Sequence, residues 1–158
     1  MTVLAPFSDV LSTFGKKIGL PMIAFDGDGH CCLGFDDVVV NIGVNQDATQ
    51  IIVSSPVATL TESPTEGLML RYLALNHVAL LSGTGGLGFD EGTRQLVFVE
   101  RIPLLGLDED LFESSMTQVV GRIEALKEML ASPDWTALAM NPTLDSTALM
   151  TNVISSNY

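Results

Sequence analysis

The stretch from Ser63 to Ser82 constrains the fold of this 158-residue chain more than any other segment. Ser63 can cap a helix, Pro64 suits the first helical position, and Glu66 stands three residues past the cap, so a helix is predicted to begin here. Gly83 supplies its stop. Within it, residues from Leu68 to Leu81 are almost all apolar, and they cover nearly the whole circumference. A helix that is apolar all round must be covered on more than one side. Two arrangements meet that demand. The helix can be fully internal, or one side can pack on a sheet while the other meets the same helix of a second subunit about a two-fold axis.

Composition sharpens the choice without closing it. The chain is 47% hydrophobic, yet 19 Asp and Glu against 7 Lys and Arg give a formal charge of -12. Mean hydropathy is +0.38, high for a soluble monomer of one-domain size. These facts are reconciled if the apolar surface exceeds what one core can hide, so that some lies at a subunit or partner interface while carboxylates keep the particle soluble. The same charge argues against nucleic acid and anionic membranes, since phosphate recognition needs clustered cations and the largest cluster is Lys16-Lys17. The first residues have no basic segment ahead of an apolar run, and no run reaches the roughly 18 apolar residues of a spanning helix. A cytoplasmic protein without membrane insertion is expected. Cys31 and Cys32 are neighbours in a strand-like run, facing opposite ways, and make neither a disulfide framework nor a metal pattern.

The remaining pattern is α+β. Phe7, Val10, Leu11, Phe14 and Ile18 recur at helical spacing, and Gly19-Leu20-Pro21 ends that helix. Met22–Phe25, His30–Phe35, Val38–Val44 and Gln50–Leu60 are short runs between turn residues, and they read as an antiparallel meander, of three strands with Met22–Phe25 leading into it. After the middle helix, Leu87–Phe89 and Gln95–Ile102 flank a hairpin turn at Asp90-Glu91-Gly92-Thr93. Asp108, Glu109 and Asp110 then open a helix with Phe112, Met116, Val119, Ile123, Leu126 and Leu130 on one face, ended by Ser132-Pro133. One domain over residues 1–132 is expected. Residues 133–158, which hold no Lys or Arg, are expected to form a loosely attached tail with a short helical piece near Trp135–Met140.

No motif carries catalysis in its context. Gly83-Thr84-Gly85-Gly86-Leu87-Gly88 matches G-x-G-x-x-G, but a dinucleotide fingerprint follows a strand and opens a helix, whereas this one follows a helix and opens a strand. A helix-terminating loop explains it. Asp26-Gly27-Asp28-Gly29 begins like a calcium loop, but position 12 of the loop is Asp37 rather than Glu and other ligands are missing. Asp36-Asp37 are turn neighbours with no nucleophile beside them. His30 and His77 have no partner at ligand spacing. No enzyme activity, metal or cofactor is expected.

Leu11-Ser-Thr-Phe14-Gly-Lys-Lys-Ile18-Gly-Leu20-Pro21, Phe25-Asp26, Cys32-Leu33-Gly34-Phe35-Asp36-Asp37, Leu73-Ala-Leu-Asn76 and Leu96-Val-Phe-Val-Glu-Arg101-Ile-Pro103-Leu104 together resemble the Tir chaperone (CesT-like) family of class I type III secretion chaperones, over residues 4 to 131. The resemblance implies a homodimer of helix, meander, helix, hairpin, helix subunits, paired through the middle helix. It also implies one or more secreted effectors as clients, wrapped in non-globular form, with the secretion ATPase as a further partner. Carried onto this chain, client binding falls to Leu11, Phe14, Ile18, Leu20, Phe25, Leu33 and Phe35, and the dimer surface to Leu70, Leu73, His77 and Leu81. Strand register decides which of Leu33 and Gly34 faces the client. An extended client can add a strand to an open sheet edge while its apolar side chains fill pockets beside the first helix. The alternative is a regulatory module of the same fold that sequesters a cytosolic partner.

Overall fold

Strands with one buried side follow from apolar residues at every second position. The computed structural model, which describes residues 5–60, 63, 65–82 and 85–132, joins five of them into one antiparallel sheet. The elements are α1 (Ala5–Lys17), β1 (His30–Phe35), β2 (Val38–Val44), β3 (Gln50–Thr59), α2 (Glu66–Ser82), β4 (Gly86–Asp90), β5 (Gln95–Pro103) and α3 (Glu109–Ala131). Their spatial order in the sheet is β1-β2-β3-β5-β4. The α+β order expected from the periodicities is therefore present. Met22–Phe25 is not a strand, however, but part of an irregular loop.

Register sets the two faces. Pairing Leu33 with Val40, Ile42 with Val53 and Ile51 with Ile102 puts all of these side chains on one buried face. Cys31 lies on that face and Cys32 on the exposed one, both as free thiols. Pro56 is tolerated in β3 because pairing with β2 covers only Ile51–Ser54, so no neighbour on that side needs its missing N–H. A bulge follows between Pro56 and Ala58.

The buried face is covered by α3, which packs against β2, β3 and β5, while α1 packs on α3. Asp108 caps α3 by accepting a hydrogen bond from the Leu111 amide at 2.8 Å. Phe112, Met116, Val119, Ile123 and Leu126 recur at steps of three and four and are all buried. The rings of Phe7 and Phe14 stand edge-on to Phe112, with centroids 5.2 and 5.1 Å away. Basic side chains then pin the helices. Arg122 Nη1 donates to both carboxylate oxygens of Glu100 on the inner face of β5, at 2.7 and 2.6 Å. Lys17 joins α1 to Asp110 and Glu113 of α3 at 3.1 and 2.8 Å. Lys127 donates to the carbonyl of Asp37, fastening the end of α3 to the β1–β2 turn.

The helix over Ser63–Ser82 begins later than its cap signal suggests. Its first residue is Glu66, and Thr65 takes the capping role, its hydroxyl accepting from the Leu68 amide at 3.3 Å. The predicted tail over 133–158, with its short helix near Trp135–Met140, lies outside the described residues, as do Gly83 and Thr84.

Because Phe112 is fully buried beneath two aromatic rings, Phe112→Ala should lower unfolding free energy by about 3–5 kcal/mol in a denaturant titration.

Candidate functional site

The middle helix keeps the two-sided character expected from its sequence. At 100° per residue, Leu68, Tyr72, Leu75 and Ala79 share one side, and all are buried or half-buried. Met69, Leu70, Leu73, His77, Leu80 and Leu81 share another, within an arc of about 120°. That second side is open, with Leu73 61% and Leu81 75% exposed. All four residues expected at a subunit surface, Leu70, Leu73, His77 and Leu81, stand on it. Met69 and Leu80 also belong to it, and Phe89 of β4 is half exposed.

The glycines that resembled a nucleotide loop serve this helix. A Cβ on Gly86 would lie 2.9 Å from Asn76 Oδ1 and 3.1 Å from Leu80, and one on Gly85 would run into the Phe98 ring. Small residues are needed here so that α2 can approach β4 closely. Asn76 Oδ1 accepts the Leu87 amide at 2.7 Å, so α2 occupies the outward edge of β4. Among the described residues, no three His, Cys, Asp or Glu side chains are grouped to hold a metal ion, and no helix is long and apolar enough to cross a membrane.

The opposite edge of the sheet differs. β1 pairs with β2 alone. At its start, the His30 amide donates to Asp26 Oδ1 at 2.9 Å and its carbonyl accepts from the Asp26 amide at 2.8 Å. Both His30 backbone groups therefore point away from β2. In an antiparallel ladder this direction repeats every second residue, so Cys32 and Gly34 also turn their N–H and C=O outward. Those two positions form an open edge, since among the described residues no strand pairs with them. The Asp26 carboxylate also accepts from the Asp28 amide at 2.9 Å. The His30 amide, and after it the Asp28 amide, hold its carboxyl below the usual carboxylate range.

The loop from Ile18 to Gly29 links that edge to α1. It crosses α1 at Gly15, where a Cβ would lie 2.6 Å from the Leu20 carbonyl oxygen and would overlap Ile23. Phe25 packs on Phe7, with ring centroids 5.3 Å apart. This contact and the pull of Gly15 explain why Met22–Phe25 leaves the sheet and lies on the helix instead. Met22 is left 92% exposed at the loop's tip.

The expected client residues now separate by depth. Leu11, Phe14 and Leu33 are buried in the core of the subunit. An inward strand position and the inner face of an amphipathic helix are the places where apolar residues are buried first. Ile18, Phe25 and Phe35 are half-buried, and Leu20 is exposed. The loop gathers Ile18, Leu20 and Phe25 near the start of β1, and Phe35 stands at its far end. Register places the Leu33 side chain in the core and turns the Gly34 backbone groups outward. Met22 and the backbone of Cys32 and Gly34 were missed, since exposure in a loop and peptide direction in a strand are not written in residue type.

Residues 9–127 match the model of the Tir chaperone protein (CesT) family. No curated protein matches the sequence closely enough to count as a relative. Among solved structures, the ExsC-ExsE complex is similar with a TM-score of 0.73 and 23% identity, covering 84% of this chain and 100% of that one. The HopA1-SchA chaperone-effector complex gives a TM-score of 0.66 at 19% identity, covering 80% of this chain and 95% of that one. The Yersinia pestis type III secretion chaperone SycH, in complex with a fragment of YscM2, gives 0.58 at 19% identity, covering 76% and 98%. At these identities the structures show a shared fold.

The peptide directions in β1 can be checked by proline. Gly34→Pro removes an amide that points outward and should cost about 1 kcal/mol or less in a thermal melt. Leu33→Pro removes one bonded to β2 together with a core side chain, and should cost about 3 kcal/mol or more.

Proposed function

The chain belongs to the Tir chaperone (CesT) family, and on that premise we propose that it is a cytosolic type III secretion chaperone acting as a homodimer. It binds the non-globular segment of a secreted effector, keeps it soluble, and delivers it to the secretion apparatus, with the secretion ATPase as the receiving partner. The match of residues 9–127 to a family of chaperones carries this proposal. Support comes from the similar folds, each of which stands in a complex with another protein.

The geometry suits binding work in two places. The open side of α2, continued by Phe89, is the surface for a second copy, because a self-complementary apolar stripe is what an isologous two-fold interface requires. The outward edge of β1, with Leu20, Met22, Phe25 and Phe35 near its ends, is the surface for the client. An extended segment gains backbone hydrogen bonds at Cys32 and Gly34 and buries alternate apolar side chains against the loop and α1. The gain is offset in part by the cost of ordering the client. Such work makes and breaks no covalent bond.

Co-expression with a candidate secreted effector tests this directly. The wild-type chain should sediment as a dimer, co-purify with the effector, and protect a segment near the effector's N-terminus from protease. Leu73→Asp, which would strand a carboxylate in the apolar interface, should sediment as a monomer. Gly34→Pro should remain a folded dimer yet lose the effector. Retention of the effector by Gly34→Pro would show that the client binds elsewhere.

A further inference from the structure

Among the described residues, no strand or helix covers the β1 edge at Cys32 and Gly34. Sheet edges in soluble proteins are usually protected by inward or flanking charge, often Lys, by proline, or by a covering helix. β4 has the covering helix. β1 reads His-Cys-Cys-Leu-Gly-Phe and has neither Lys nor Pro. What charge there is lies beyond its two ends and is negative. Asp26 and Asp28 precede it, and Asp36 and Asp37 follow it, all exposed.

The cations do not cancel this field. Lys17 is held by Asp110 and Glu113, and Arg122 by Glu100. The Arg94 side chain donates to the Leu60 carbonyl, Arg101 projects from the exposed face of β5, and Arg71 belongs to α2. Lys16 ends α1. Lys127 reaches the β1–β2 turn, where it is taken up by Asp37. Net negative charge therefore remains at both ends of an uncharged strand, about 20 Å apart at the rise of an extended chain.

We propose that the client segment selected by this edge is bracketed by basic residues: an extended stretch of about five residues with alternating apolar side chains, carrying Lys or Arg at both ends to meet Asp26 and Asp28 on one side and Asp36 on the other. The proposal rests on the chaperone function above and adds the chemical class of its client. Apolar burial and backbone pairing hold the middle of the segment, while opposite charges at the ends speed encounter and fix which segment of a long chain docks.

Two labelled nine-residue peptides test it by fluorescence anisotropy on the full chain. Each alternates Val and Thr over five positions, and one has two lysines at each end where the other has two glutamates. The lysine peptide should bind about tenfold more tightly at low salt, as expected for a few exposed charge pairs acting together. The preference should shrink in concentrated salt. It should also be largely lost in the Asp28→Asn/Asp36→Asn variant, chosen because Asn tolerates the positive φ of 51° at position 36 and because Asp26, which caps β1, is untouched. Gly34→Pro should abolish binding of the lysine peptide. Equal binding of the two peptides, binding of neither, or a preference unchanged in the double variant would overturn the proposal. These results are separable from failure of the chaperone function itself, because that failure appears as a wild-type chain that captures no effector.

Discussion

The edge-on packing of Phe7 and Phe14 against Phe112 determines where α1, the loop after it and the start of β1 can lie. It fixes α1 on α3, and α3 is itself seated on β2, β3 and β5 by a buried stripe one turn at a time. From α1 the restraint passes to the loop, through Phe25 on Phe7 and the close crossing at Gly15. Near its end the loop carries Asp26, whose backbone and carboxylate bind His30. A continuous line of packed and hydrogen-bonded groups thus runs from the deepest aromatic ring to the first peptide of the exposed edge. Leu11 and Phe14, buried in the core, support this line from beneath.

Much of the architecture is legible in residue order. Strand alternation in Val38–Val44 and the three-and-four spacing from Phe112 to Leu126 each point to one element and one buried side, and the structure has them. The middle helix is legible as apolar nearly all round, and the structure covers one of its sides and leaves the other exposed. Depth was harder. Leu11, Leu20 and Leu33 are the same residue type, yet Leu11 and Leu33 sit in the core and Leu20 on the surface. Only tertiary packing separates them. Met22–Phe25 has the composition of a strand, but Gly15 offers a closer partner than any neighbouring strand, and local pattern cannot register a contact made across seven residues and a turn. The cap of α2 likewise shifted to Thr65, since any hydroxyl near a helix start competes for the same free amides.

The excess of apolar residues and the shortage of cations turn out to be parts of one design. Lys17, Arg122 and Lys127 are spent on joining elements, each reaching between parts of the chain far apart in sequence. The surface is left acidic except where it is apolar. Four exposed leucines, Leu70, Leu73, Leu80 and Leu81, gather on one side of α2, with Leu20 in the α1–β1 loop and Leu105 and Leu111 near the start of α3.

The hydrogen bonds between Asp26 and His30 bear on how sequences are read. They fill the first outward position of β1 with the protein's own chain, leaving Cys32 and Gly34 before the turn at Asp36. A visiting strand that slipped by two residues would lose half of so short a ladder, so its frame is imposed by the host and hardly by its own letters. In the proposed docking, segments that share the basic bracket but differ between would be held in one common alignment, much as a ruler with a fixed zero measures different objects.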